Sequence, residues 1–221
     1  VLRPHGQILR SGSRRVPDES ALTSTVWMVG VFHSMLTQGH VSINRCLSTV
    51  RSYLSLFRAQ GLRIFVRLDG GWQLLDQPSA FEMRPDACCW IYRHAGGCIE
   101  VTSDVQEAPH ALGLAVRFVK GPALPCLVSL HVALNGDDGS TPGPAHWRRE
   151  EDGLLITPAP GSELARRFPD GALRVAAAAG TAIEEASGDA PLFADGLSRA
   201  LPWVTLRTAA TRRWRLTLEG L

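Results

Sequence analysis

The sequence predicts an all-β protein, an antiparallel β-sandwich with at most one or two short helices, on three observations. Apolar and polar residues alternate with a period of two in one segment after another, the signature of strands with one buried face. Those segments meet at clusters of Gly, Asp and Pro, and the chain holds 21 Gly and 14 Pro in 221 residues. Helical spacing is confined to one stretch.

The elements follow in order. The first twenty-two residues, with Arg14-Arg15 and Pro17-Asp18, read as a polar N-terminal tail or loop, and residues 23–221 as the sandwich domain. Ser24-Thr25-Val26-Trp27-Met28-Val29-Gly30-Val31-Phe32 is rich in β-branched and aromatic residues and reads as a buried strand. The helical spacing falls on Leu47, Val50, Leu54 and Phe57, with Asn44 to cap the start and Gly61 beyond the end. Ser48, Thr49, Ser52 and Ser55 are weak helix formers, so periodicity and propensity conflict there.

In Leu62-Arg63-Ile64-Phe65-Val66-Arg67-Leu68 the aliphatic residues share one face and Arg63 and Arg67 take the other. Asp69-Gly70-Gly71 tolerates positive φ, and Trp72-Gln73-Leu74-Leu75 returns the chain, which makes a hairpin. Cys89–His94, Ala95-Gly96-Gly97 and Cys98–Thr102 repeat the device. Leu112, Leu114, Val116 and Phe118 form the apolar face of the next strand, and Val128, Leu130, Val132 and Leu134 that of another. Asn135 to Pro144 is a surface loop by composition. Further strands read at Gly153–Thr157, Trp203–Arg207 and Trp214–Leu218. Residues 145–200 otherwise read as a layer or insertion, and Pro158 to Ala200, rich in Ala, Gly, Pro and Asp, as an insertion, a linker to a further layer, or short strands hidden by that composition.

Composition narrows the function classes. Hydrophobic residues make up 45% and charged residues 20%, which excludes a disordered or collagen-like chain. A chain of this length buries roughly 70% of its unfolded surface, enough for a real core. The formal charge is +2 and the basic residues, all Arg but Lys120, are scattered, so there is no electrostatic case for nucleic acid. No apolar run reaches the roughly 18 residues of a membrane helix, so no membrane partner is expected. Cys46, Cys88, Cys89, Cys98 and Cys126 are odd in number and lack CxxC spacing, which favours reduced thiols and a cytoplasmic location. The start, Val1-Leu2-Arg3-Pro4-His5, suggests a piece of something longer.

Signatures for a nucleophile elbow, a phosphate loop, dinucleotide binding and zinc proteolysis are missing. Asn135, Asp137 and Asp138 offer oxygen ligands without EF-hand spacing, and adjacent Cys88 and Cys89 point to opposite faces of a strand, so no metal site is expected. Asp69, Asp76, Glu82, Asp86, Glu100 and Asp104 are numerous enough for a glycosidase-like pair, but no spacing selects two of them. The segment His33 to Arg45 is the most unusual. It gathers His33, Gln38, His40, Asn44 and Arg45 around Gly39, and these are hydrogen bonders suited to sugar hydroxyls or phosphate oxygens. Trp27, Trp72 and Trp90 offer flat faces to a sugar ring, or else fill the core.

That segment also carries a likeness. Thr23–Ser34 and Gly39–Ser48, followed in order by Gly61–Val66 and Leu74–Met83, resemble the N-terminal region of the family 94 glycoside phosphorylases, in the branch of the 1,2-β-oligoglucan phosphorylases and the phosphorylase-like part of cyclic β-1,2-glucan synthases. The pattern weakens through His131-Val132-Ala133-Leu134 and is lost after about Pro144.

The resemblance implies a large supersandwich of the galactose-mutarotase-like kind, packed on a downstream (α/α)6 barrel that carries the catalytic acid. It implies inverting phosphorolysis to α-glucose 1-phosphate, with inorganic phosphate as co-substrate and no cofactor. It further implies homodimers and contact with β-glucan oligosaccharide, for which His33, Gln38, His40, Asn44 and Arg45 are the candidate residues. No catalytic residue is carried over. The alternatives are a stand-alone carbohydrate-binding β-sandwich module and a small hydrolase using two of the acids.

Overall fold

The computed structural model describes residues 62–221 except 76–77, 84–86, 107–110, 133–144, 163–164 and 167, and the backbone of five short strands before them. Those are β1 (Leu9–Ser11), β2 (Thr25–Trp27), β3 (Met35–Thr37), β4 (Gly39–His40) and β5 (Ile43–Asn44). The expected helix over 47–57 and the loop 135–144 lie outside the described residues.

The alternation at Leu62 makes β6 (Leu62–Leu68), in which Leu62, Ile64 and Val66 are fully buried while Arg67 is exposed. Asp69 and Gly70 turn it into β7 (Gly71–Leu74), both with positive φ, +48° and +79°. Two consecutive left-handed residues match the right-handed twist of the flanking strands, which is why Asp-Gly stands there. Gly71, expected in the turn, is the first strand residue and pairs with Leu68.

After β8 (Ala80–Met83), the strands β9 (Ala87–His94) and β10 (Gly97–Gln106) form the second hairpin. Gly97 is paired with His94, and a side chain there would meet the Lys120 carbonyl at 2.2 Å. Next come β11 (Ala111–Lys120) and β12 (Cys126–His131). Leu112, Leu114 and Val116 are completely buried and Phe118 nearly so, as their spacing predicts. In β12 the partner face, Leu127, Ser129 and His131, is buried as well.

The remaining strands are β13 (Ala145–Glu150), β14 (Gly153–Pro158), β15 (Leu173–Ala177), β16 (Ile183–Ser187), β17 (Trp203–Thr208) and β18 (Arg213–Gly220). Region 145–200 therefore extends both sheets. A nine-stranded sheet runs β1-β8-β9-β10-β11-β18-β15-β14-β13, and a five-stranded sheet runs β16-β17-β12-β6-β7. Pairing is antiparallel throughout both except at one edge, where β1 lies parallel to β8. Leu9–Ser11, within the expected tail, is thus an edge strand; parallel neighbours require a crossover, and a long stretch of chain separates these two. Two further two-stranded pairs are β2-β3 and β4-β5.

The core lies between the two large sheets. Leu62, Ile64 and Val66 of β6 and Val128 and Leu130 of β12 belong to the same buried cluster as Trp90, Leu114, Val175 and Leu216 of the larger sheet. Fully burying such side chains stabilises the fold by roughly 1.5–3 kcal/mol each. Helical structure contributes little to this frame; a 3₁₀ turn at Ala190–Leu192, with Pro191 inside it, is one short example.

Candidate functional site

The larger sheet ends at β13 and the smaller at β16, and one side chain joins these edges. Arg149 on β13 donates to the carbonyls of Ile183, at 2.9 Å, and Glu184, at 3.4 Å. Two residues earlier on the same face of β13, Trp147 packs against the core.

Beside Trp147 opens a cleft of about 450 Å³, lined also by Asp189, Ser198, Leu201, Pro202 and Trp203. The segment from Gly188 to Pro202 has no strand, and Asp189 organises it. The Asp189 carboxylate, 2% exposed, accepts from the Ser198 hydroxyl, from the Arg199 N–H at 2.9 Å and from the Leu201 N–H at 3.1 Å. Burial opposes its charge, but these hydrogen bonds prevail and hold it below the usual carboxylate range. Nearby, Asp195 takes both guanidinium nitrogens of Arg199 at 2.6 and 2.7 Å, and that guanidinium lies 4.1 Å from the Phe193 ring. Ala200 adopts φ +53°, a left-handed conformation that costs a non-glycine residue about 1 kcal/mol.

On the outer face of the smaller sheet, His131 meets the Trp203 ring edge-on at 4.7 Å, and the Arg63 guanidinium lies 5.4 Å from the same ring. Burial, and then the Arg63 charge, push the His131 imidazole down to about 4, so it is neutral near pH 7. Among the described residues its Nδ1 has no hydrogen-bond partner.

The sequence-derived candidates are distributed differently. His33, Gln38 and Arg45 lie outside the described residues, while His40 and Asn44 fall on β4 and β5, paired through Gly39 to Asn44 and His40 to Ile43. Trp90 is fully buried against Phe81. Trp72 is half-buried, with the Arg67 guanidinium 5.3 Å from its ring, and Trp27 is on β2.

Two of the acids are occupied: Glu100 binds Arg117 at 2.9 Å and Asp104 binds Arg215 at 2.7 Å. Asp69 is in a turn, Glu82 is on β8, and Asp76 and Asp86 lie outside the described residues. Cys88 is buried and Cys89 half-buried on opposite faces of β9. Burial pushes the Cys126 thiol up to about 11, which leaves it unreactive. Among the described residues no cluster of His, Cys, Asp and Glu has the makings of a metal site, and no helix is long and apolar enough to cross a membrane.

The cleft residues Trp147, Asp189 and Ser198 were not legible as a group. Asp189 and Ser198 sit in a Gly-, Ala- and Asp-rich stretch whose composition says only turn, and Trp147 sits on a strand without alternation.

The two antiparallel sheets, packed on one shared core, define an all-β sandwich domain. The chain belongs to the glycoside phosphorylase supersandwich domain family, whose model matches residues 1–220 and so extends well beyond the resemblance that ended near Pro144. A 1,2-beta-oligoglucan phosphorylase of Listeria innocua serovar 6a is 28% identical to it over 168 residues. The match spans 76% of this chain and 15% of that relative.

Proposed function

We propose that this chain is the non-catalytic supersandwich portion of an inverting, family 94 β-1,2-oligoglucan phosphorylase. In this reading a downstream (α/α)6 barrel transfers glucosyl units to phosphate and releases α-glucose 1-phosphate, while the sandwich supports the barrel and the homodimer. The family match over residues 1–220, beside a relative named for that activity, carries the reading. The engagement of Glu100 and Asp104 by arginines is consistent with it, since a carboxylate held in an ion pair is a poor general acid.

The complete polypeptide, given β-1,2-oligoglucan and inorganic phosphate, should release glucose 1-phosphate as the α anomer, and only when phosphate is present. Release of reducing sugar without phosphate would refute it. We assign His33, Gln38, His40, Asn44 and Arg45 to contact with phosphate or glucan. Ala at His40 and Arg45 should then raise KM in the complete enzyme, and unchanged kinetics would remove the assignment.

A further inference from the structure

The basic residues are scattered along the sequence, but strand register gathers five of them at one end of the larger sheet. Arg93 on β9 is level with Cys98 on β10, and Cys98 with Lys120 on β11. Arg93 and Lys120 therefore flank β10 two strand spacings apart, roughly 10 Å. Beside them Arg117 lies opposite Glu100 of β10 and opposite Arg213 of β18. The alternate residues Ile99, Val116, Phe118 and Trp214 are buried in the core, which leaves these side chains on the outer face. Arg212 completes the group at the strand ends, where its guanidinium donates to the carbonyls of Phe118, at 3.3 Å, and Gly121, at 2.7 Å.

All five cations are exposed. In the segments 90–100, 117–124 and 209–214 that meet here, Glu100 is the one acid, whereas the whole chain carries only +2. Glu100 is already taken by Arg117, through bonds of 3.1 and 2.9 Å. Among the described residues Arg93, Lys120 and Arg213 form no ion pair. Like charges directly opposite each other destabilise neighbouring strands, and Arg117 and Arg213 stand in that relation. A carboxylate placed beside Arg213 relieves this repulsion.

The Arg117–Glu100 contact shows the chemistry that fits, a carboxylate received by two nitrogens of one guanidinium. Val119, 48% exposed among the cations, adds an apolar point, and arginines around an apolar centre are the makings of a protein interface. Stacking surfaces for bases are missing, because Trp90, Tyr92, Phe118 and Trp214 of the same segments are buried. We infer that this end of the sandwich binds an acidic segment of a separate partner protein, whose carboxylates pair with Arg93, Lys120 and Arg213 around Val119. The inference is independent of the proposed function.

Fluorescence anisotropy of a labelled poly-glutamate peptide, titrated with the complete polypeptide, tests it. The peptide should bind at low salt and about tenfold more weakly once ionic strength rises to about 0.3 M. The double variant Lys120→Glu/Arg213→Glu should weaken binding about tenfold or more, while Arg148→Glu on the edge strand β13 leaves it unchanged. Arg213→Glu alone should also raise the urea midpoint, because it sets opposite charges across from each other at Arg117. A lowered midpoint together with lost binding would make Arg213 a structural residue and overturn the inference. No binding of the peptide, or binding that the double variant retains, overturns it as well. Tighter binding of a single-stranded DNA of equal charge does the same, and marks a nucleic-acid surface instead.

Discussion

Arg215 on β18 reaches Asp104 on β10 across the intervening strand, closing two hydrogen bonds of 2.8 and 2.7 Å over the bare backbone of Gly113. A side chain at Gly113 would meet Arg215 Nη2 at 2.1 Å and Asp104 Oδ1 at 2.6 Å. The glycine therefore stands in β11 to leave a channel for the guanidinium, and the pair ties three neighbouring strands.

Gly113→Ala should lower stability by about 1–2 kcal/mol, through displacement of a partly exposed ion pair and local strain. The penalty depends on Arg215. In an Arg215→Ala background the glycine substitution should cost less, because the nearer clashing group is gone and Asp104, released from its ion pair, can swing aside. Urea denaturation of the four proteins in this cycle checks it, and strictly additive effects would contradict the account.

His131 makes stability depend on pH. Its folded value, about 4, lies below the ordinary 6.5 that it regains on unfolding, so between them the unfolded chain holds the extra proton. Its contribution is complete above pH 6.5 and falls by about 3 kcal/mol as the pH drops to 4 and below. His131→Phe should flatten the stability profile across that window. A variant profile parallel to the parent's would show that His131 is not the group responsible.

Asp189 should behave as the keystone of the 188–202 segment. Asp189→Ala removes the acceptor for one hydroxyl and two backbone N–H groups, and a loss of about 2–3 kcal/mol is expected in chemical denaturation. The carboxylate's lowered pKa means that its contribution is present above the usual range of an aspartic acid and fades as the pH falls through the folded value. Ala200→Gly should instead stabilise by about 0.5–1 kcal/mol, since glycine accepts the left-handed backbone freely. A neutral Asp189→Ala or a destabilising Ala200→Gly would mean that the segment is not organised in this way.

Much of the sandwich was readable because its central strands repeat with period two. Leu114 and Val116 alternate with Gly113, Ala115 and Arg117, Ile64 and Val66 lie between Arg63 and Arg67, and each of the four apolar residues is fully buried. The edges were harder. Strand β13 reads Ala-His-Trp-Arg-Arg-Glu and β16 reads Ile-Glu-Glu-Ala-Ser; an edge strand faces solvent on more than one side, so the alternation that marks a strand is weak. The cleft was hidden for a different reason. Its members come together through one carboxylate that gathers residues nine to twelve positions away, and no periodicity announces such a contact.

Arg149 bridges those two faint edges. Arg149→Met, which keeps the stem and removes the donors, should cost about 1 kcal/mol and speed amide exchange in Ile183–Ser187, with little change in β11. Unaltered exchange in β16 would show that the edges hold together without it.

In the proposed function these sheets support a phosphorylase and leave the breaking of glycosidic bonds to another domain. The most direct measurement incubates the purified 221-residue chain and the complete polypeptide, side by side, with β-1,2-oligoglucan and inorganic phosphate and follows glucose 1-phosphate. Turnover is expected from the complete polypeptide and none from the chain alone; turnover by the isolated chain would refute the proposed function.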